Sequence, residues 1–269
     1  MTIAISILRP GDAGYPQRLS VLGIARTLHV RGELDESVAV VVVGARAASQ
    51  AAMDRAHAIA KHVAGRGVRV VSGGALGIDG AAHRGALAAQ GTQRATTTVV
   101  LANGVDVAYP ARHAGLFDQI LAAGGALVST HPPGMQPRPG TFTARNPIIS
   151  ALADAVIVVE ADIASGSLST AAAARKQGRV VAAYPGSRGC ERLLATGAAI
   201  VETGEDVLAL LAGRVRFPEP PQLDATATAV RDAIVAGACG VDAIVRHTGL
   251  SVRAVLRALP QLESSARKQ

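Results

Sequence analysis

The stretch Val38-Ala39-Val40-Val41-Val42-Val43-Gly44-Ala45-Arg46 decides the fold. Its apolar residues run without polar alternation and stop at a glycine, the pattern of a strand covered on both faces and followed by a tight turn. Outward from it, the same kind of run recurs at Val68–Ser72, Thr97–Leu101, Ala126–Ser129, Ala155–Glu160, Val180–Ala183 and Ala198–Val201. Between these lie Ala-rich amphipathic stretches that predict helices over Gln50–Gly65, Asp79–Gln90, Arg112–Ala122, Ser167–Gln177 and Gly204–Leu211. Strand and helix in alternation predict an α/β protein with a doubly wound, mostly parallel sheet spanning residues 1–213, including a short N-terminal extension. Such sheets bind ligands at the carboxyl ends of their strands.

Beyond this region, residues 214–223 contain Phe217-Pro218-Glu219-Pro220-Pro221, a stiff linker that continues neither helix nor sheet. Residues 224–269 then read as a small helix-turn-helix module: helices Thr226–Ala236 and Val241–His247, the turn Thr248-Gly249-Leu250, and a helix Ser251–Leu259 capped by Ser251. Few residues follow Pro260, so a full wing hairpin has little room.

The chain has 269 residues, enough for one large domain and a small one. Hydrophobic residues at 49% and charged residues at 17% exclude a disordered chain. The net charge of +7 favours a polyanionic partner, because clustered cations release counterions from phosphates. A basic surface without a partner is the bland alternative. The C-terminal module carries only +2 of that charge, against +5 for the rest, so it is too weakly basic to be the evident polyanion-binding element. Cys190 and Cys239 share no metal or disulfide spacing, and no cofactor motif is present. Nothing after Met1 resembles a secretory signal, and Val38–Val43 is too short to span a bilayer, so no membrane association and a cytoplasmic location are expected.

Four loops follow predicted strands and fall on one edge of the sheet. In the first, Gly44 permits close approach of a phosphate and Arg46 offers a bidentate clamp. The second, Ser72-Gly73-Gly74-Ala75-Leu76-Gly77-Ile78-Asp79, is glycine-rich and runs into a helix whose free N–H groups face an anion, yet it matches neither GxGxxG nor a Walker loop. His83, one turn further on, reads either as a base or as a core histidine. The third is a long loop from Thr130 to Asn146 that carries Arg138, Phe142, Arg145 and Asn146, an aromatic among arginines that suits a base stacked beside its phosphates. The fourth pairs Glu160 with Ser165-Gly166-Ser167-Leu168-Ser169-Thr170, hydroxyls and amides that form a second anion nest. Glu160 is either an acid or a cap for a neighbouring amide.

In order, VGAR at Val43–Arg46, SGGALGIDGAAHRGAL at Ser72–Leu87, YPARH at Tyr109–His113, FTARNPIIS at Phe142–Ser150, VVEADIASGSLSTAAAA at Val158–Ala174 and YPGSRG at Tyr184–Gly189 resemble the DNA-processing protein A family (DprA, also called Smf). The C-terminal module resembles that family's winged-helix-like domain. The resemblance implies a Rossmann-like, non-enzymatic protein, often dimeric, that binds and protects single-stranded DNA and loads the RecA recombinase onto it during natural transformation. By position it makes Arg46 the phosphate-binding arginine. It places Phe142, Arg145 and Asn146 in one family segment, and Ser165, Gly166, Ser167 and Thr170 in another. With the glycine-rich turn, the expected DNA-binding set is Gly44, Arg46, Ser72, Gly73, Gly77, Arg138, Phe142, Arg145, Asn146, Ser165, Gly166, Ser167 and Thr170. Some positions depart from the pattern: Pro147 replaces an arginine, Gly74 a leucine, and Thr130-His131 a Ser-Glu pair.

Two other readings use the same loops. A nucleotide phosphoribohydrolase-like enzyme needs a carboxylate on the turn after the Ser165 nest to polarise a ribosyl bond, and Ala171-Ala172-Ala173 provide none. A nucleotide-binding sensor needs only the anion nests.

Overall fold

The computed structural model describes residues 3–89, 97–218 and 224–266, with side chains through 262 in the last segment. The final residue of one predicted helix, Gln90, and residues 219–223 of the linker lie outside the described residues. The chain divides into two compact units, Met1–Leu194 with Ala198–Arg216, and Ala195–Gly197 with Phe217–Gln269.

The first unit is built on one nine-stranded sheet. In chain order its strands are β1 (Ile5–Leu8), β2 (Leu28–Gly32), β3 (Ala39–Val43), β4 (Arg69–Ser72), β5 (Thr97–Val100), β6 (Ala126–Ser129), β7 (Ala155–Val158), β8 (Val180–Ala183) and β9 (Ala199–Ile200). They lie side by side as β1-β2-β6-β5-β4-β3-β7-β8-β9. All pairs from β6 to β9 are parallel, while β1 and β2 join antiparallel at one margin. Successive strands after β3 build outward one way to β6; β7 then starts on the other side of β3. The crevice beyond the ends of β3 and β7 is therefore the switch point where doubly wound sheets take ligands.

All five residues of β3 are buried. Val41 and Val43 point into a core layered with α1 (Gln17–Val21), α5 (Thr141–Ala151), α6 (Gly166–Lys176) and α7 (Arg188–Ala195). Val40 and Val42 point into the opposite core with α2 (Gln50–Ala64), α3 (Ile78–Leu87) and α8 (Gly204–Leu211). The remaining helix of the unit, α4 (Ala114–Ala122), covers β5 and β6 through Phe117 and Ile120. The uninterrupted valine run is thus the sequence of a strand with two dry faces.

Several elements differ from the sequence-based expectation. Residues 3–37 hold two strands and α1 rather than a simple extension. Leu28 and Val30 are buried while His29 and Arg31 alternate with them, the period of a one-sided strand too short to stand out. The expected loop from Thr130 to Asn146 ends at Gly140, where α5 begins. Pro147 sits inside α5 and has no N–H to return to the Thr143 carbonyl, which is why the stretch reads as a loop. Gly74 has φ of +71°, and a Cβ there would stand 2.6 Å from Val99 Cγ1, so this backbone has no place for the leucine of the family pattern.

The second unit contains α9 (Ala225–Val235), α10 (Val241–Thr248) and α11 (Val252–Ala266) around Ala227, Val230, Ala233, Ile244, Val255 and Ala258. Gly249 takes φ of +71° at the end of α10, and Ser251 Oγ accepts from the Ala254 N–H as the expected cap. The last helix continues through Pro260 instead of stopping at Leu259.

His83 belongs to the core. The Thr97 hydroxyl donates to the Val70 carbonyl at 2.7 Å, so its lone pair faces His83 Nδ1, which donates at 2.8 Å. Burial, with His113 and two arginines nearby, lowers the His83 pKa from 6.5 to about 3. The neutral ring favours the fold above the ordinary histidine pKa, and that contribution is lost as pH falls from 6.5 toward about 3. Ring-proton NMR is expected to show no His83 titration between about pH 8 and 5; a midpoint near 6.5 would contradict this placement.

Candidate nucleic-acid interface

Backbone contacts first lock three of the loops together. The Ala45 N–H donates to the Glu160 carbonyl at 2.7 Å and the Ile78 N–H to the Ala45 carbonyl at 3.2 Å, so the ends of β3, β4 and β7 share one junction. Glycine is required at this junction. A Cβ on Gly44 would lie 2.7 Å from the Glu160 oxygen, and one on Gly77, with φ of +75°, 2.3 Å from the Ala45 oxygen. Glu160 proves to be a cap: its carboxylate accepts from Ser49 N at 3.0 Å and Ser49 Oγ at 2.6 Å, and Ser49 caps α2.

Beyond the junction opens a groove of about 520 Å³. Its walls are the Gly44–Arg46 turn, the start of α5 with Phe142, Arg145 and Asn146, and the start of α6 with Ser165, Gly166, Ser167 and Thr170. Arg46 is exposed and lies 4.9 Å above the Phe142 ring centre, and Phe142 packs on Tyr109 at 5.5 Å. The same stack also borders a hollow of about 80 Å³ lined by Gly73, Leu101, Asn103 and Tyr109. Among the described residues no carboxylate pairs with Arg46, which leaves its guanidinium edge for an anion.

The groove floor is charged from below. Arg145 is buried, and its guanidinium donates to the carbonyls of Gly73 and Val100. Burial brings its pKa down to about 10, with Arg46 adding to the shift and Asp79 opposing it. It therefore remains a cation at neutral pH. Asp79, on the same floor, is shifted upward by burial and held back by Arg145 and by the N–H of Ala75. On the third wall, Ser165 Oγ accepts from the Ser167 N–H and meets Ser167 Oγ at 2.7 Å, while Asn146 Nδ2 donates to the Gly166 carbonyl. The N-terminus of α6, with its partial positive charge, faces the cavity.

Of the residues singled out from the sequence, Gly44, Arg46, Phe142, Arg145, Asn146, Ser165, Gly166, Ser167 and Thr170 line the groove, and Gly73 lines the adjoining hollow. Ser72, Gly77 and Arg138 line neither. The Ser72 hydroxyl is buried and donates to the Val42 carbonyl, and Gly77 backs the Arg46 turn. Arg138 is exposed before α5, in a loop tied by Thr141 Oγ1. Phe142, Arg145 and Asn146, expected on a loop, sit on a helix, and Arg145 is an internal cation rather than a free clamp. Sequence reasoning assigned no role to Tyr109 or Thr143 and left Asp79 as a helix start; the Tyr109-Pro110 pair was the one available signal.

The family model for DNA recombination-mediator protein A matches residues 6–212, and the DprA winged helix domain model matches residues 216–263. The chain belongs to the DNA recombination-mediator protein A family. Among DprA relatives, the putative DNA processing protein DprA of Mycobacterium tuberculosis is 42% identical over 265 residues, 92% of this chain and 65% of that protein. Protein Smf of Escherichia coli is 40% identical over 226 residues, 80% of this chain and 59% of that protein. The chain thus spans less than two thirds of the length of these relatives. DprA of Streptococcus pneumoniae superposes with a TM-score of 0.69 at 36% identity, covering 76% of this chain and 74% of its own. The Helicobacter pylori DNA processing protein A, whose structure was described for its single-stranded DNA binding mode, gives 0.69 at 26% identity over 80% and 98%.

Different burial predicts different failure for the two groove arginines. Arg145→Ala leaves two buried carbonyls unpaired and is expected to destabilise the fold by about 2–4 kcal/mol in denaturant titration. Arg46→Ala should leave the unfolding midpoint unchanged and weaken anion binding by about 1–3 kcal/mol. Equal stability of the two variants would refute the distinction.

Proposed function

We propose that this chain binds single-stranded DNA along the carboxyl edge of its sheet, protects the strand, and presents it to the RecA recombinase in the cytoplasm. The observation that carries the reading is the groove itself, where an exposed Arg46 stacked on Phe142 stands over a buried cation and opposite a helix N-terminus. Phosphates are met by Arg46 and the α6 amides, and a base stacks beside Phe142. The DprA family membership and the DNA-binding relative support it. Two copies with their grooves side by side would hold a longer strand than one, so a homodimer is the working unit.

A mononucleotide also suits a cavity of this size, which makes a nucleotide sensor the competing reading. Fluorescence anisotropy separates them. Oligothymidine is expected to bind well above blunt duplex or free nucleotide at matched salt, with affinity falling by a slope of about 0.7 per phosphate neutralised. Equal affinity for duplex, or tighter binding of a mononucleotide, would overturn the proposal.

All these groove residues precede the Pro-rich stretch. A chain ending at Arg216, the last residue of the first compact unit, is therefore expected to keep its affinity for a short oligonucleotide, measured beside its solution mass. Loss of binding in a folded fragment of the right mass would move the DNA contact to the C-terminal module.

A further inference from the structure

A second arginine is stacked on an aromatic ring near the same sheet edge, and the groove makes no use of it. Arg55 on α2 places its guanidinium carbon 4.4 Å from the centre of the Tyr184 ring. Tyr184 directly follows β8, and the ladders align Val43, Val158 and Ala183. Tyr184 therefore stands two strands away from Gly44, roughly 10 Å at ordinary interstrand spacing. The tyrosine packs on the α2-covered core and stays partly exposed, while Arg55 is exposed. Among the described residues no carboxylate pairs with Arg55. The acids along this margin are engaged: Asp54 accepts from Gln50, Glu160 from Ser49, Asp162 from the Ile163 N–H with Arg188 at 3.8 Å, and Glu191 from the Gly186 N–H.

We propose that Arg55, held on Tyr184, is a second phosphate-binding station, so that a single strand leaving the Arg46–Phe142 groove runs past the ends of β7 and β8 to Arg55. The inference rests on the reading of the groove as a single-stranded DNA site. The ring restricts the guanidinium and keeps its N–H edge available, as Phe142 does for Arg46. The spacing of the two stations means that they hold different phosphates of one strand. A ligand too short to span them meets only the first.

The test is anisotropy on the full chain with oligothymidines of increasing length, comparing wild type with Arg55→Ala, Tyr184→Ala and Tyr184→Phe. Wild-type affinity is expected to step up once the strand reaches the second station. Arg55→Ala should keep short-strand affinity and lose about tenfold on long strands, with a salt slope smaller by about 0.7 for the one lost phosphate. Tyr184→Phe keeps the stacking face and should behave as wild type, whereas Tyr184→Ala should follow Arg55→Ala. An unchanged length dependence and salt slope in Arg55→Ala, an exposed position whose change leaves the fold intact, would overturn the second station while the groove reading stands. Failure of the wild type to bind any single strand would overturn both.

Discussion

Arg145 donates from one guanidinium to the carbonyls of Gly73 and Val100, which lie just after β4 and at the end of β5, while its own backbone belongs to α5. Three elements far apart in sequence therefore meet at a single buried cation. Burying such a charge is costly unless its hydrogen bonds are made and an opposite charge lies near. Here Nη1 donates to both carbonyls while the buried Nε has no partner, and Asp79 opposes the burial penalty without forming a contact ion pair. A Cβ on Gly73 would stand 2.4 Å from the Arg145 guanidinium, so the glycine is the space that the arginine occupies.

The groove inherits its form from this arrangement. With the start of α5 fixed against the ends of β4 and β5, Phe142 is set beside the β3 turn, where Arg46 lies over its ring and Tyr109 supports the other flank. The buried Arg145 cation shares the floor of the cavity with Asp79, and the cavity's far wall is a helix N-terminus. An anion entering there meets charge below, N–H groups on one side and an aromatic ring on the other. The chemistry is that of holding a phosphate and a flat base, and the preorganised donors reduce the ordering that binding must impose.

Much of the parallel core was legible in the sequence. The valine run of β3 and its counterparts at β4, β5, β7 and β8 are short apolar stretches closed by turn residues, and their period is a local property. The glycine and serine loops were legible for the same reason, since a strand end, a tight turn and a helix cap are each written in adjacent residues. Less visible were β1 and β2, whose one-sided alternation is only a few residues long, and α5, where Gly140 and Pro147 imitate the composition of a loop.

The sequence by itself determined the doubly wound framework and the edge of the sheet on which the polar loops gather. Only the tertiary structure decided which polar side chains of those loops face the cavity and which serve the core. Ser72 and Ser165 both sit at strand or helix termini, yet one hydroxyl is spent on the Val42 carbonyl and the other opens to the groove. Arg46 and Arg145 both belong to family motifs, yet one is exposed and the other is internal. The reason is that burial is set by neighbours from distant segments. Local spacing fixes where a side chain starts, whereas the packing of β4, β5 and α5 against one another fixes what it meets.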